Sequence, residues 1–314
     1  VAAPIRIGTC SWADESLTRY FYPPGVKGAE ERLRYYADRF DTVEANSTYY
    51  RLPDEEMVRR WHERTPEGFI MHVKAFGVMT RHPVKLEQLP PDLREGAPVD
   101  ERGRIDRPPR EFRAEDFRRF HAALEPLRLN DKLGGILMQL PPYVVFKPAS
   151  LEYLEWAQEQ LGGDEMLVEF RHASWLDEEN RLETLAFLER NHMSYVIVDA
   201  PRTQARNVSP TVVATTTPTA YVRYHGRNAE TWNKRVRTAA ERFDYLYSEE
   251  ELGEWVAPLA ELSGQADNVY AMFNNNGRSE TPQGDIAQAP VNAQMLRGLL
   301  EREGLPVTPA PASA

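Results

Sequence analysis

The chain has 314 residues, of which 41% are hydrophobic and only one is cysteine, and it carries a formal net charge of −10. That is enough apolar material for one large core, while the charge opposes non-specific adhesion to nucleic acid or anionic lipid. The lone Cys10 excludes an internal disulfide and no apolar run approaches a membrane span. With no basic-then-apolar leader at Val1–Arg6, the expectation is a cytoplasmic protein that does not engage membranes.

Short β-favouring runs alternate with helical ones along the chain. Ile5–Ser11 reads as a strand, Glu30–Phe40 as a helix and Thr42–Asn46 as a strand. Asp54 after Pro53 is the expected N-cap of a helix over Asp54–Arg64, followed by a strand at Phe69–Ala75. A polar, Pro- and Arg-rich loop fills 78–110 before a helix at Glu111–Leu127 and a strand at Leu133–Leu140. Ser150–Leu161 is a helix closed by Gly162 and Gly163. A strand at Met166–Arg171, a helix at Glu179–Asn191 and a strand at Tyr195–Asp199 follow. Ala200–Pro218 carries no helical pattern. Tyr221–His225 is a strand, trailed by a charged insertion to Tyr247 and a helix at Ser248–Ser263. Asn268–Phe273 and the helix Asn292–Glu303 complete the pattern, and the Pro- and Ala-rich tail 304–314 is expected to be disordered.

Eight strands, nearly all separated by helices, require a parallel sheet, and the gap between the sixth and seventh is the least regular part of the pattern. No glycine-rich phosphate fingerprint follows the first strand, where the chain reads Gly8-Thr9-Cys10-Ser11-Trp12, which disfavours an open doubly wound sheet. The expected architecture is a TIM-like (β/α)8 barrel, a single domain over 1–303 with long βα loops. Such a barrel places its chemistry at the C-terminal ends of the strands, and polar residues collect there. The ends supply Glu44 and Asn46, then His72 and Lys74, then Gln139, then Glu169 and Arg171. Later ends add Asp199, Arg223, His225, Arg227 and Asn274. Along the strand Met166–Arg171, Glu169 and Arg171 alternate with Val168 and Phe170 and so share one face.

The motifs Val43-Glu44-Ala45-Asn46-Ser47-Thr48-Tyr49-Tyr50, Gln139-Leu140-Pro141-Pro142, Val168-Glu169-Phe170-Arg171-His172-Ala173-Ser174-Trp175 and Tyr221-Val222-Arg223-Tyr224-His225-Gly226-Arg227 fall in order along the chain. With Phe21-Tyr22-Pro23-Pro24-Gly25, Asn274-Asn275-Asn276 and Ala289-Pro290-Val291-Asn292-Ala293, they resemble the YecE-like family, domain of unknown function 72, over about residues 5–303. The resemblance implies a TIM-barrel-like fold and names no reaction. The segments Val78–Arg110 and Asn228–Tyr247 look longer or more charged than in the simplest members, so a substrate gate built from them is expected to differ.

The residues themselves point to an anion. Lys74, Arg171, Arg223 and Arg227 put cations around one mouth, and arginine's planar fork suits phosphate or carboxylate. Asn46, Gln139 and Asn274 complete the expected binding set for a small anionic or phosphorylated substrate. Glu169 with His225 is the expected acid/base pair, with Glu44 and Asp199 as further candidate carboxylates. Two alternatives stay open. One is a non-catalytic barrel binding a nucleotide, nucleic acid or protein through the same mouth. The other is a metal-dependent phosphodiesterase or sugar isomerase, with Glu44, Glu169 and Asp199 joined by His72 or His225. No metal or other cofactor is expected, because cations crowd the rim and neither HExxH nor HxH spacing occurs. Cys10 reads as a small barrel residue rather than a nucleophile.

Overall fold

Eight parallel strands pair into a closed ring: β1 (Ile5–Thr9), β2 (Thr42–Ala45), β3 (Ile70–Lys74), β4 (Leu133–Gln139), β5 (Met166–Glu169), β6 (Ser194–Asp199), β7 (Thr219–Tyr224) and β8 (Asn268–Phe273). The structure is a computed structural model and describes residues 2–201, 203, 205–232 and 239–309. β1 pairs with β2 at Thr9–Val43 and with β8 from Ile5–Val269 to Thr9–Phe273, so the ring has no free edge. Helices or helix-containing loops connect successive strands except β6 and β7, whose connection 200–218 holds no helix among its described residues, and the closed ring is the expected (β/α)8 barrel.

Alternation along the strands sorts the side chains into two layers. Ile5, Ile7, Val43, Val73, Val168 and Ile197 pack outward under the helices. Leu137, Leu167, Val196, Val198 and Met272 pack inward with Tyr221 and Tyr270. His72 lies within the ring between the last two, its ring centroid 4.7 Å from Tyr221 and 4.3 Å from Tyr270. Room for that imidazole comes from Gly134, where a Cβ would lie 2.5 Å from His72 Nε2.

Helix boundaries differ from the expected ones at two prolines. The run expected as one helix over 111–127 is two, Arg110–Ala123 and Glu125–Arg128, with Pro126 in the first turn of the second. The run 248–263 likewise divides into Glu249–Gly253 and Val256–Gln265, with Pro258 in the first turn of the latter. Proline lacks an N–H and its ring clashes with the carbonyl four residues back, so the helix restarts there. The Asp54 cap is present, its carboxylate accepting the Met57 N–H at 2.8 Å.

The excursion 78–110, on the C-terminal side of β3, holds an antiparallel ribbon of Val84–Lys85 with Arg104–Ile105 and a short helix Pro91–Arg94. Val84, Leu89 and Ile105 are buried beneath it. The described part of the tail, 304–309, returns to the barrel. Ile5 donates its N–H to Pro306 O at 2.6 Å, and Thr308 donates its own to Ile5 O at 3.0 Å, so 304–309 lies along β1. The apolar pair Leu305 and Val307 packs against the core there, an anchor the tail's Pro and Ala content obscured. Residues 310–314 lie outside the described residues.

Candidate functional site

Toward the C-terminal ends the barrel interior turns from apolar to ionic, and its centre is Arg223 on β7. This guanidinium is fully buried between two fully buried carboxylates, Glu44 on β2 and Glu169 on β5. Nε and Nη2 donate to Glu44 at 3.0 and 2.6 Å, and Nη1 donates to Glu169 in a short contact. Nη2 also meets Asn274 Oδ1, and Nη1 meets His225 Nε2, both at 3.4 Å. An arginine has five N–H donors; Glu44, Glu169 and Asn274 take four of them, and the second Nη1 hydrogen faces His225 Nε2 inside the buried network. Tyr221 adds its hydroxyl to Glu44 at 2.9 Å.

Glu169 is held as tightly. Its Oε1 accepts from Gln139 Nε2 at 2.7 Å and meets His225 Nε2 at 3.0 Å, with Arg171 Nη1 3.7 Å away. Burial pushes this carboxyl up, but Arg223, His225 and Arg171 together hold it well below the usual carboxylate range. His225 in turn meets Asn274 Nδ2 through Nδ1 at 2.9 Å. An amide N–H there makes Nδ1 the acceptor and Nε2 the protonated nitrogen that donates to Glu169. Burial drives His225 down to about 4 against the pull of Glu169, so the ring is neutral at pH 7.

The outer part of the mouth carries less committed groups. Lys74 at the end of β3 is half-buried, donates to Gln139 Oε1 at 2.9 Å and sits 4.7 Å from the centre of the Tyr49 ring. Arg171, its side chain 13% exposed, makes no hydrogen bond among the described residues beyond its ion pair with Glu169. Its guanidinium lies 4.9 Å from the Trp232 ring centre and 6.0 Å from that of Phe243. Phe243 also stacks on His225 at 5.1 Å, so the segment after β7 covers this side of the mouth with aromatic rings. Asn46 continues the Glu44 face beyond β2. Its amide donates to Cys10 O at 2.6 Å and leaves Oδ1 buried without a partner.

The ring of residues expected from the sequence therefore divides. Glu44, Asn46, Lys74, Gln139, Glu169, Arg171, Arg223, His225 and Asn274 come together inside the mouth. Asp199 and Arg227 do not. Asp199 points outward, opposite to Val198 and Ala200, and is bound by Tyr247 Oη at 2.7 Å, Trp255 Nε1 at 2.7 Å and Arg227 Nη2 at 2.8 Å. The reason is parity: along β6 the acidic residue falls on the helix-facing side. Arg223 lies with the group in the mouth but is fully buried, with most of its donors held by Glu44, Glu169 and Asn274. His72 stands apart from the ionic group, with both ring nitrogens unpartnered and burial lowering it to about 3. Cys10 is fully buried, and burial with nearby Glu44 raises its thiol well above the ordinary range, which keeps it protonated. Among the described residues, no three His, Cys, Asp or Glu side chains stand in a metal-binding group.

Sequence reasoning missed Tyr221, Trp232, Phe243 and the Tyr49–His82 pair, whose rings meet edge to face at 5.2 Å. Tyr221 was legible: it shares its strand face with Arg223 and His225. The others reach the mouth from loops, which no periodicity places.

A closed parallel barrel with an ionic array sealed beneath its C-terminal mouth defines the class of protein. The chain belongs to the DUF72 family, described as a protein of unknown function, whose model matches residues 6–314. It is 30% identical over 302 residues to the UPF0759 protein YunF of Bacillus subtilis (strain 168), covering 95% of both chains. The UPF0759 protein YecE of Escherichia coli (strain K12) matches over 53 residues at 40% identity, 17% of this chain and 20% of that one. Among solved structures, a DUF72 family protein from Thermotoga maritima MSB8 superposes with TM-score 0.72 at 31% identity, covering 95% of this chain and 99% of that one. One from Enterococcus faecalis V583 gives 0.74 at 25% identity and 95% coverage of both.

Proposed function

We propose that the protein is an enzyme that takes a small anionic substrate, phosphorylated or carboxylated, at the C-terminal mouth. One observation carries the reading. Within the interior network three cations, Lys74, Arg171 and Arg223, face two carboxylates, Glu44 and Glu169, and the donors left uncommitted belong to Lys74 and Arg171. An excess positive charge with free donors in a partly dry cleft favours an anion. Asn46 Oδ1 offers an acceptor for a substrate hydroxyl. The array beneath acts as a fixed electrostatic floor, set before any ligand arrives.

Saturation of Glu169 and His225 favours a second reading, a barrel that binds its anion without turning it over. A carboxylate held far below its usual range with both oxygens occupied is a poor proton acceptor. Calorimetric titration with inorganic phosphate and a panel of sugar phosphates and small carboxylates tests both. Arg171→Ala is expected to weaken binding by about tenfold or more, since a charge-assisted contact contributes roughly 1.5–3 kcal/mol. Equal affinities for wild type and Arg171→Ala would remove the anion site. Binding without consumption of any compound in the panel would favour the binding barrel.

A further inference from the structure

We infer that Lys74 is a covalent site, whose amine forms an imine with the carbonyl carbon of a small aldehyde or ketone that carries an acidic group. This deepens the anion reading and rests on it, with Arg171 receiving the acidic group.

The amine's surroundings carry the inference. Lys74 Nζ has one hydrogen bond, to the neutral Gln139 Oε1 at 2.9 Å, and no carboxylate within ion-pair distance among the described residues. Gln139 stands between Lys74 and the nearest floor carboxylate: its Nε2 donates to Glu169 Oε1 at 2.7 Å while its Oε1 accepts from the lysine. An amide in that place orients the amine without pairing its charge. A glutamate there would pair it.

The other lysines are used differently. Lys132 is spent on His62 O, Thr65 O and Thr65 Oγ1 at 2.9, 2.7 and 3.1 Å. Lys27, Lys85 and Lys147 are exposed, and Lys234 lies outside the described residues. Lys74 alone among the described lysines sits at a barrel strand end beside an aromatic ring, with Arg171 near enough to act on its charge.

The ionisation agrees with the geometry. Burial, then Arg223, lowers Lys74 to about 8 against the upward pull of Glu44 and Glu169, with Arg171 adding to the depression. The neighbouring His82 is itself driven down to about 3 by burial, then Lys74 and Arg171, so it contributes no charge. Near neutral pH a useful fraction of Lys74 is free amine, which is the form that reacts. The chemistry balances without a further reagent. The nitrogen lone pair attacks the carbonyl carbon, and the C–O bond breaks from the carbinolamine. The carbonyl oxygen leaves as water with the two amine hydrogens.

The test uses the full chain and two aldehydes of nearly equal size, glyoxylate (anionic) and glycolaldehyde (neutral), each with cyanoborohydride to reduce any imine to a stable amine. Labelled lysines are read by peptide mass mapping between pH 6 and 9. Lys74 is expected to label at least tenfold faster than Lys27, Lys85 and Lys147, to show a midpoint near pH 8, and to react faster with glyoxylate than with glycolaldehyde. Gln139→Glu is expected to slow both probes, and Lys74→Arg to abolish the selective label. Labelling of Lys74 no faster than of the exposed lysines, with either aldehyde, overturns the inference. Selective labelling of Lys74 without preference for glyoxylate keeps the reactive amine and overturns the anion reading.

Discussion

At the scale of single residues, Arg223 decides whether the barrel interior is tolerable at all. Two fully buried carboxylates take three of its donors, so removing it strips both of their closest cation. Arg223→Met is expected to destabilise the protein by roughly 3–5 kcal/mol in urea unfolding, and the triple change with Glu44→Gln and Glu169→Gln to recover much of that. Because Glu169 is depressed, its contribution is present above its unfolded pKa and lost as pH falls through the folded one. Asp116 behaves oppositely. It is fully buried in the helix Arg110–Ala123 with neither oxygen partnered, and burial raises it to about 7. A raised carboxyl favours the folded state at low pH, and that advantage disappears as pH climbs from about 4 to about 7. Asp116→Asn should therefore raise the melting temperature at pH 8 and change it little at pH 4, by thermal denaturation at both. An equal change at both pH values would mean the carboxyl is not desolvated.

At the scale of elements, strands were read more faithfully than what joins them. A run such as Tyr195-Val196-Ile197-Val198 is β-branched and aromatic, buried on both faces, and admits little else. Helix ends were misplaced where a proline inside an apolar run was passed over, as at Pro126 and Pro258. The tail is the clearest case of tertiary context overriding composition. Its backbone joins β1 through Pro306 O and the Thr308 N–H, and Leu305 and Val307 pack beside them. A chain ending at Gly304 is expected to melt several degrees lower than the full chain, since two backbone bonds and an apolar contact vanish together. An unchanged melting temperature would show that the pairing contributes nothing.

At the scale of the whole molecule, an acidic protein with net charge −10 keeps two cations with uncommitted donors, Lys74 and Arg171, beside its buried ionic array. That arrangement was partly legible. Strand parity and the barrel's polarity assembled nine of eleven candidate residues in the mouth and failed for Asp199 and Arg227. Parity is exact within a strand, but at its end one residue more or less turns a side chain from the interior to the helices. The division of labour among the nine was not legible. Which cation is most engaged depends on distances between β2, β5 and β7, with Arg223 54 residues from Glu169 and 179 from Glu44 in sequence, and no local pattern encodes them. The aromatic cover from Trp232 and Phe243 was hidden for the same reason.

The pairing of Ile5 with β8 on one flank and Val307 on the other also bears on how the molecule is made. β1 is made before the other strands of the barrel, while β8 and Val307, which pair with it, are made after them. Until then its apolar outward face, Ile5 and Ile7, has only early partners such as Val43 within reach. Closure thus follows synthesis rather than accompanying it, and the interval in which the nascent barrel stands open grows with translation time.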